Sequence, residues 1–139
     1  LTQNHDDKRP AAAGPPRRPD TRRALGAFAE RLAAGRLERA GYRIVGRNAR
    51  AGPGEIDIVA LKDGQTVLVE VRARREGDLG SALWSITPAK RRHLLTAAEQ
   101  FLAEHPELPQ EARIDLAAVT LDRTGKVIDV QIVENAIEG

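Results

Sequence analysis

Four residues whose types and spacing could do chemistry sit in one stretch, GEIDIVALKDGQTVLVEVRAR (54–74): Glu55, Asp57, Glu70 and Arg72. Asp63-Gly64 is a preferred pair for a type I′ two-residue turn, so the stretch reads as a β-hairpin with Lys62 opposite Gln65. That turn fixes the register. Asp57 then faces Glu70 and Glu55 faces Arg72, and a side-chain period of two puts all four on one face with Val59, Leu61, Thr66 and Leu68. The opposite face carries Ile56, Ile58, Ala60, Val67, Val69 and Val71, and must be buried. Carboxylates directly across a strand pair, with Cβ atoms about 5 Å apart, destabilise it, and partial burial adds to the cost. A shared proton, the neighbouring Arg72 or a divalent cation between the carboxylates would each offset that cost. The ligands are hard oxygens, which favours Mg²⁺ or Mn²⁺ over zinc, and Mg²⁺ takes one or two carboxylates plus waters and substrate phosphate. Two plainer readings stand beside this one: a cross-strand Glu55–Arg72 ion pair with Asp57 and Glu70 splayed into solvent, or a longer turn that slips the register.

The elements that must position the hairpin are legible on either side of it. A helix is expected from Arg23 to about Ala40, with Leu25, Phe28, Ala29, Leu32 and the stem of Arg36 on one stripe. Ala33 and Leu37 widen the stripe, and Gly41 ends the helix. YRIVGRN (42–48) alternates weakly as a strand, and ARAGPG (49–54) reads as a loop. Thr87 and Pro88 form an N-cap and N1 pair opening a second helix to about Glu104, with Leu94, Leu95, Ala98, Phe101 and Leu102 on its core face. RIDLAAVTL (113–121) and VIDVQIV (127–133), joined by DRTGK, read as a closing hairpin. The order is αβββαββ, an α/β fold with a mixed five-stranded sheet flanked by helices. Residues 1–20 are proline-rich without apolar periodicity and read as a disordered tail, leaving 21–139 as a single domain.

The absence of cysteine excludes a disulfide framework, a zinc–thiolate site and thiol catalysis, and fits a reducing cytoplasm. No apolar run approaches the roughly 18 residues of a membrane helix, and the N-terminus lacks the apolar core of a signal peptide. Net charge is only +2, but basic residues cluster at Arg17–Arg23, Arg47–Arg50, Arg72–Arg75 and Lys90–Arg92. A basic stripe beside an acidic cluster is a nucleic-acid footprint. It is also what an ordinary solvated surface looks like.

Asp57 followed by Glu70-Val71-Arg72 resembles the PD-(D/E)xK nuclease signature, an acidic residue on one strand and Glu-x-Lys on the next. More closely, GEIDIVA…VLVEVRAR resembles the bacterial YraN-type family, whose members read GEIDLI…VFVEVKTR. The likeness runs from Leu25 to the C-terminus. Gly26, Ala29 and Glu30 match a first-helix Gly-x-x-Gly-Glu with Ala in place of the second Gly; Gly41, the GRN triplet, Gly80, Lys90 and RIDLAAV match in turn.

The resemblance implies a restriction-endonuclease-like fold, similar to Holliday-junction resolvases, and metal-assisted hydrolysis of DNA phosphodiesters, including branched DNA. Asp57, Glu70 and the Val71 carbonyl would hold Mg²⁺ or Mn²⁺ against the scissile phosphate. Glu55 would be a further ligand or the partner of Arg72. Glu30 would reach the metal through water, or be an ordinary glutamate on the helix flank. Arg72 departs from the family, which carries a lysine able to orient or deprotonate the attacking water. Arginine keeps the charge and can clamp a phosphate bidentately, but with a pKa above about 12 it cannot act as a general base. Lys90, one turn before Leu94, is the candidate to compensate. Resolvase-like action on two strands would need a homodimer, and no surface patch in the sequence marks one.

Three functions therefore remain open: a metal-dependent nuclease, a catalytically impaired nucleic-acid-binding module of the same fold, and an interaction protein using the acidic face. Among lesser signals, Arg113 and Asp115 share a strand face as a structural ion pair, and His93 and His105 lack metal-ligand spacing. Trp84 either anchors its loop or stacks on a base.

Overall fold

Alanines decide how the first helix meets the sheet. In α1 (Arg22–Arg39) the residues facing inward are Ala29, Ala33, Ala34 and Leu37, all buried, with Leu25, Phe28 and Leu32 half-buried beside them. The buried line is therefore set to one side of the expected stripe, because small side chains let the helix backbone approach the strands closely. The helix ends in a Schellman arrangement around Gly41 (φ +93°): the Tyr42 N–H donates to the Leu37 carbonyl and the Gly41 N–H to that of Glu38.

The computed structural model describes residues 22–77 and 86–138; the expected tail, the Gly80 match and Trp84 lie outside them. After α1 come β1 (Arg43–Ala51), β2 (Gly54–Lys62), β3 (Gln65–Arg75), α2 (Pro88–Glu104), β4 (Ala112–Leu121) and β5 (Val127–Ile137), the expected αβββαββ order. The strands lie side by side in chain order, with β3 and β4 parallel and every other pair antiparallel. Parallel neighbours need a long crossover, and α2 supplies it. Thr87 caps that helix through its hydroxyl, which accepts from the Lys90 N–H at 3.1 Å, with Pro88 following it at the helix start.

The helices cover opposite faces. Leu94, Ala97, Ala98 and Phe101 of α2 pack on Val59, Leu68 and Ile114. Under α1 lie Ile58, Ala60, Val67, Val69 and Ala117, and further along Val119 and Leu121. Ile56 is expected beside Ile58 but packs instead with Val59 and Leu68 under α2. Strict alternation in β2 therefore breaks between Ile56 and Ile58, at Asp57. β1 is also longer than expected: Ala49–Ala51 pair with Gly54–Ile56, and the loop shrinks to Gly52-Pro53. Among the described residues, no helix is long and apolar enough to cross a membrane.

The turn that sets the hairpin register is as the sequence implies. Asp63 (φ +53°) and Gly64 (φ +77°) are both left-handed, as type I′ requires, and pairs run from Lys62–Gln65 to Ile58–Val69. A Cβ on Gly64 would meet nothing within 4 Å, so Gly64→Ala isolates the backbone term. It is expected to cost about 1 kcal/mol, read as a lower urea midpoint at unchanged slope.

Candidate functional site

The β2–β3 ladder stops at Ile58–Val69, and the site lies where it stops. Beyond that point β3 continues beside β4, with Glu70 level with Leu116 and Arg72 level with Ala118, while β2 stays paired to β1. The Val71 N–H, left without a ladder partner, donates to Asp57 Oδ2 at 2.8 Å. In an extended strand the N–H and C=O of one residue point to the same side, so the Val71 carbonyl faces the same opening.

Asp57 and Glu70 are not paired in the ladder, yet their carboxyl groups meet through a shared hydrogen bond. Glu70 is only 5 % exposed. Burial, and after it the Asp57 charge, pushes its carboxyl up to about 7, against the opposing pull of Lys90 and Arg72. Burial also raises Asp57, with the Val71 N–H as the chief counterweight. Two cations approach the same oxygen: Arg72 Nε lies 3.2 Å and Lys90 Nζ 3.6 Å from Glu70 Oε2. The Arg72 Nε–H is buried without a hydrogen bond, so that contact is an ion pair out of hydrogen-bond alignment.

Glu30 joins from α1, half-buried. Burial raises its pKa, then the charges of Asp57 and Glu55, while a hydrogen bond from Asn48 opposes the rise. Glu55 departs from its expected place. It is exposed and pairs across β1–β2 with Arg50, and the cation expected opposite it, Arg72, is taken by Glu70. The physical reason is the divergence of β2 from β3 before residue 57, which removes Glu55 from reach of Arg72. Its charge still bears on Asp57.

Sequence reasoning passed over Asn48, which lies in β1 between the pairs Arg47–Ile58 and Ala49–Ile56, and so across from Asp57. Its φ of +50° is left-handed, a conformation that Asn tolerates better than most residues. An Asn inside an otherwise strand-like run was the available signal. His93, set aside in the sequence for lack of metal-ligand spacing, lines a cavity of about 330 Å³ with Glu55 and Lys90. His105 is structural, stacked on Phe101 with ring centroids 4.0 Å apart.

Among the described residues no group of three or more His, Asp or Glu side chains is disposed as a metal cage. The donor set of two touching carboxylates and an open backbone carbonyl instead fits an ion that completes its shell with water, as Mg²⁺ does.

Residues 29–119 match the profile described as "Uncharacterised protein family UPF0102". The chain belongs to that family. Curated UPF0102 relatives include one from Roseiflexus castenholzii, 43% identical over 119 residues (84% of this chain, 95% of the relative). Another, from Chloroflexus aurantiacus, is 42% identical over 121 residues (86% and 97%). Membership of UPF0102 accounts for the YraN-type resemblance in the hairpin. Among solved structures, Pyrococcus furiosus SfsA in complex with Ca²⁺ aligns with a TM-score of 0.44 at 18% identity, over 84% of this chain and 65% of SfsA. A fdxN element excision controlling factor protein from Anabaena variabilis aligns at 0.34 and 12%, over 76% and 97%. Likenesses that distant carry no argument about this UPF0102 chain.

Proposed function

We propose that the protein is a divalent-metal-dependent nuclease hydrolysing DNA phosphodiester bonds, with branched DNA among its substrates. The observation that carries this reading is the contact between the Asp57 and Glu70 carboxyls where β2 leaves β3. Buried, paired carboxylates with raised pKa values cluster at functional sites, and this pair opens between basic strands. Arg43, Arg47 and Arg50 are exposed along β1, and Arg91 and Arg92 on the first turns of α2.

Asp57, Glu70 and the Val71 carbonyl would hold Mg²⁺ or Mn²⁺. When bound, the ion supplies positive charge at the scissile phosphate and acidity to the attacking water. The Val71 N–H keeps Asp57 aimed into the opening. Arg72 and Lys90 balance the Glu70 charge in the free protein, and with Glu70 engaged by an ion they would be free to meet phosphate oxygens. Arg72 cannot take a proton from water, so Lys90, on the opposite wall, is the cation that orients it. Because Arg72 replaces the usual lysine and is engaged by Glu70, a second reading has support: a nucleic-acid-binding module with impaired turnover.

A labelled panel of four-way junction, flap, single strand and linear duplex, in Mg²⁺ and in Mn²⁺, tests both. Wild type is expected to cut and Asp57→Ala to be silent. Silence of wild type with cutting by Arg72→Lys would favour the impaired module; silence of all three would sink the nuclease reading.

A further inference from the structure

The cavity beside the carboxylates has no part in the reading above. It holds about 330 Å³ and lies between the β1–β2 turn and α2. That is the lower end of the 300–1,000 Å³ typical of small-ligand sites, a volume for a nucleoside rather than for a duplex. Its buried lining is apolar, from Ala51, Leu94 and Ala97, with Pro53 at the exposed turn. Its rim is polar: Lys90, His93 and Thr96 fall on one side of α2 at three-residue spacing, and Glu55 faces them from β2.

Resting on the nuclease reading, we propose that this cavity is a nucleobase subsite, which takes an unpaired base adjoining the scissile phosphate. Lys90 joins the two places, since it lines the cavity and its Nζ lies 3.6 Å from Glu70 Oε2. Whatever enters the cavity is thus covalently within reach of a phosphate at the carboxylates. Charge decides which part of the nucleotide enters. The Glu55 carboxylate repels phosphate but accepts from an exocyclic amino group, as acidic side chains do from cytosine N4. The apolar lining suits the flat face of a base, and His93 and Thr96 supply hydrogen-bonding groups at the rim. A base stacked inside a continuous duplex cannot reach such a site without being extruded, which costs unpairing energy that single strands and junction ends do not incur. The subsite therefore selects nucleic acid with an unpaired nucleotide at the cut.

The test uses binding rather than cleavage. A single-stranded oligonucleotide carrying one 2-aminopurine, and the matching blunt duplex, are titrated with the protein in Ca²⁺ or without divalent ions. With wild type, 2-aminopurine fluorescence in the single strand is expected to rise as the base leaves its stacked neighbours for the cavity, where no Trp, Tyr or Phe stands among the described lining residues. Thr96→Trp, an exposed helix position that can plug the mouth, is expected to weaken single-strand binding about tenfold and abolish the rise. Duplex binding, carried by phosphate contacts, should change less than about twofold. His93→Ala should give a smaller loss in the same direction. Unchanged fluorescence with wild type, equal losses on single strand and duplex, or no binding of either overturns the subsite. A fluorescence rise without cutting in Mn²⁺ would retain the subsite and remove the nuclease. Cutting with no preference for unpaired DNA would do the reverse.

Discussion

At pH 8 without divalent cations, Asp57→Asn is expected to melt roughly 5 °C above wild type, while metal-dependent cleavage falls about 1,000-fold or more. The two effects have one cause. Glu70 is pushed up to about 7 in the folded protein, first by burial and then by the Asp57 charge, against an ordinary value of 4.5. Between those values the folded state binds the proton that the unfolded chain has released, so stability falls as pH rises through that window. The stabilisation is complete below about pH 4.5 and gone above about pH 7, and the full difference is about 3 kcal/mol. Asparagine keeps the oxygen that accepts the Val71 N–H and removes the charge that repels Glu70. Glu70 stays buried but faces Arg72 and Lys90 without the Asp57 charge, so its carboxyl should come down and the pH slope should shrink. Thermal melts from pH 5 to pH 8 read the slope directly. A ligand that binds only the folded protein raises its stability, so Mn²⁺ should raise the wild-type midpoint at pH 8, hardly at pH 5, and leave Asp57→Asn unmoved. Equal pH slopes in the two proteins would show that the carboxyls do not share their proton.

How much of this was legible depends on whether local chemistry or tertiary pairing decided each feature. The encounter of Asp57 with Glu70 follows from Asp63-Gly64, because a type I′ turn leaves the register no freedom. The end of the ladder does not follow from it. β3 loses β2 as a neighbour beyond Val69 but keeps β4 alongside from Thr66 onward, and that continuing partner is a strand more than forty residues later in the chain. Hence the pairing of Glu55 with Arg72, carried along the ideal register, was wrong, whereas the carboxylate contact survived the divergence. Asn48 went unread for a similar reason: a single left-handed residue inside a strand leaves no periodic trace. The cavity was hidden because its walls come from two stretches far apart in the chain, residues 51–55 and 90–97, and His93 was judged only as a metal ligand, for which its spacing is wrong.

Asp115→Ala is expected to be the most destabilising of the substitutions considered, at about 3–5 kcal/mol. The Arg113–Asp115 pairing expected from the strand face is present, but it is the smaller part of what Asp115 does. Its side chain is fully buried and takes four hydrogen bonds. Arg113 Nε (3.0 Å) and the Asn135 N–H (2.9 Å) donate to Oδ1; Tyr42 Oη (2.8 Å) and Arg113 Nη2 (3.2 Å) donate to Oδ2. The Asn135 N–H lies where β5 leaves register with β4, between the pairs Ile114–Ile137 and Leu116–Val133, with φ +51° at Asn135. Asp115 thus does at the β4–β5 irregularity what Asp57 does at the β2–β3 divergence: a carboxylate accepts the backbone N–H that the ladder gives up. Alanine would take the acceptor from the part-buried Asn135 N–H and the buried counter-charge from the Arg113 guanidinium together. Burial, and then the bond to Asp115, pushes the Tyr42 hydroxyl up to about 12; Asp115→Ala should bring its spectroscopic titration down part of the way. Tyr42→Phe removes one donor of four and should cost only about 1–2 kcal/mol. Arg113→Leu combined with Asp115→Leu removes charge and counter-charge together, so it should cost less than the two single changes added. Additive losses in that cycle would mean that Arg113 is held by Gln65 and Tyr42 rather than by Asp115.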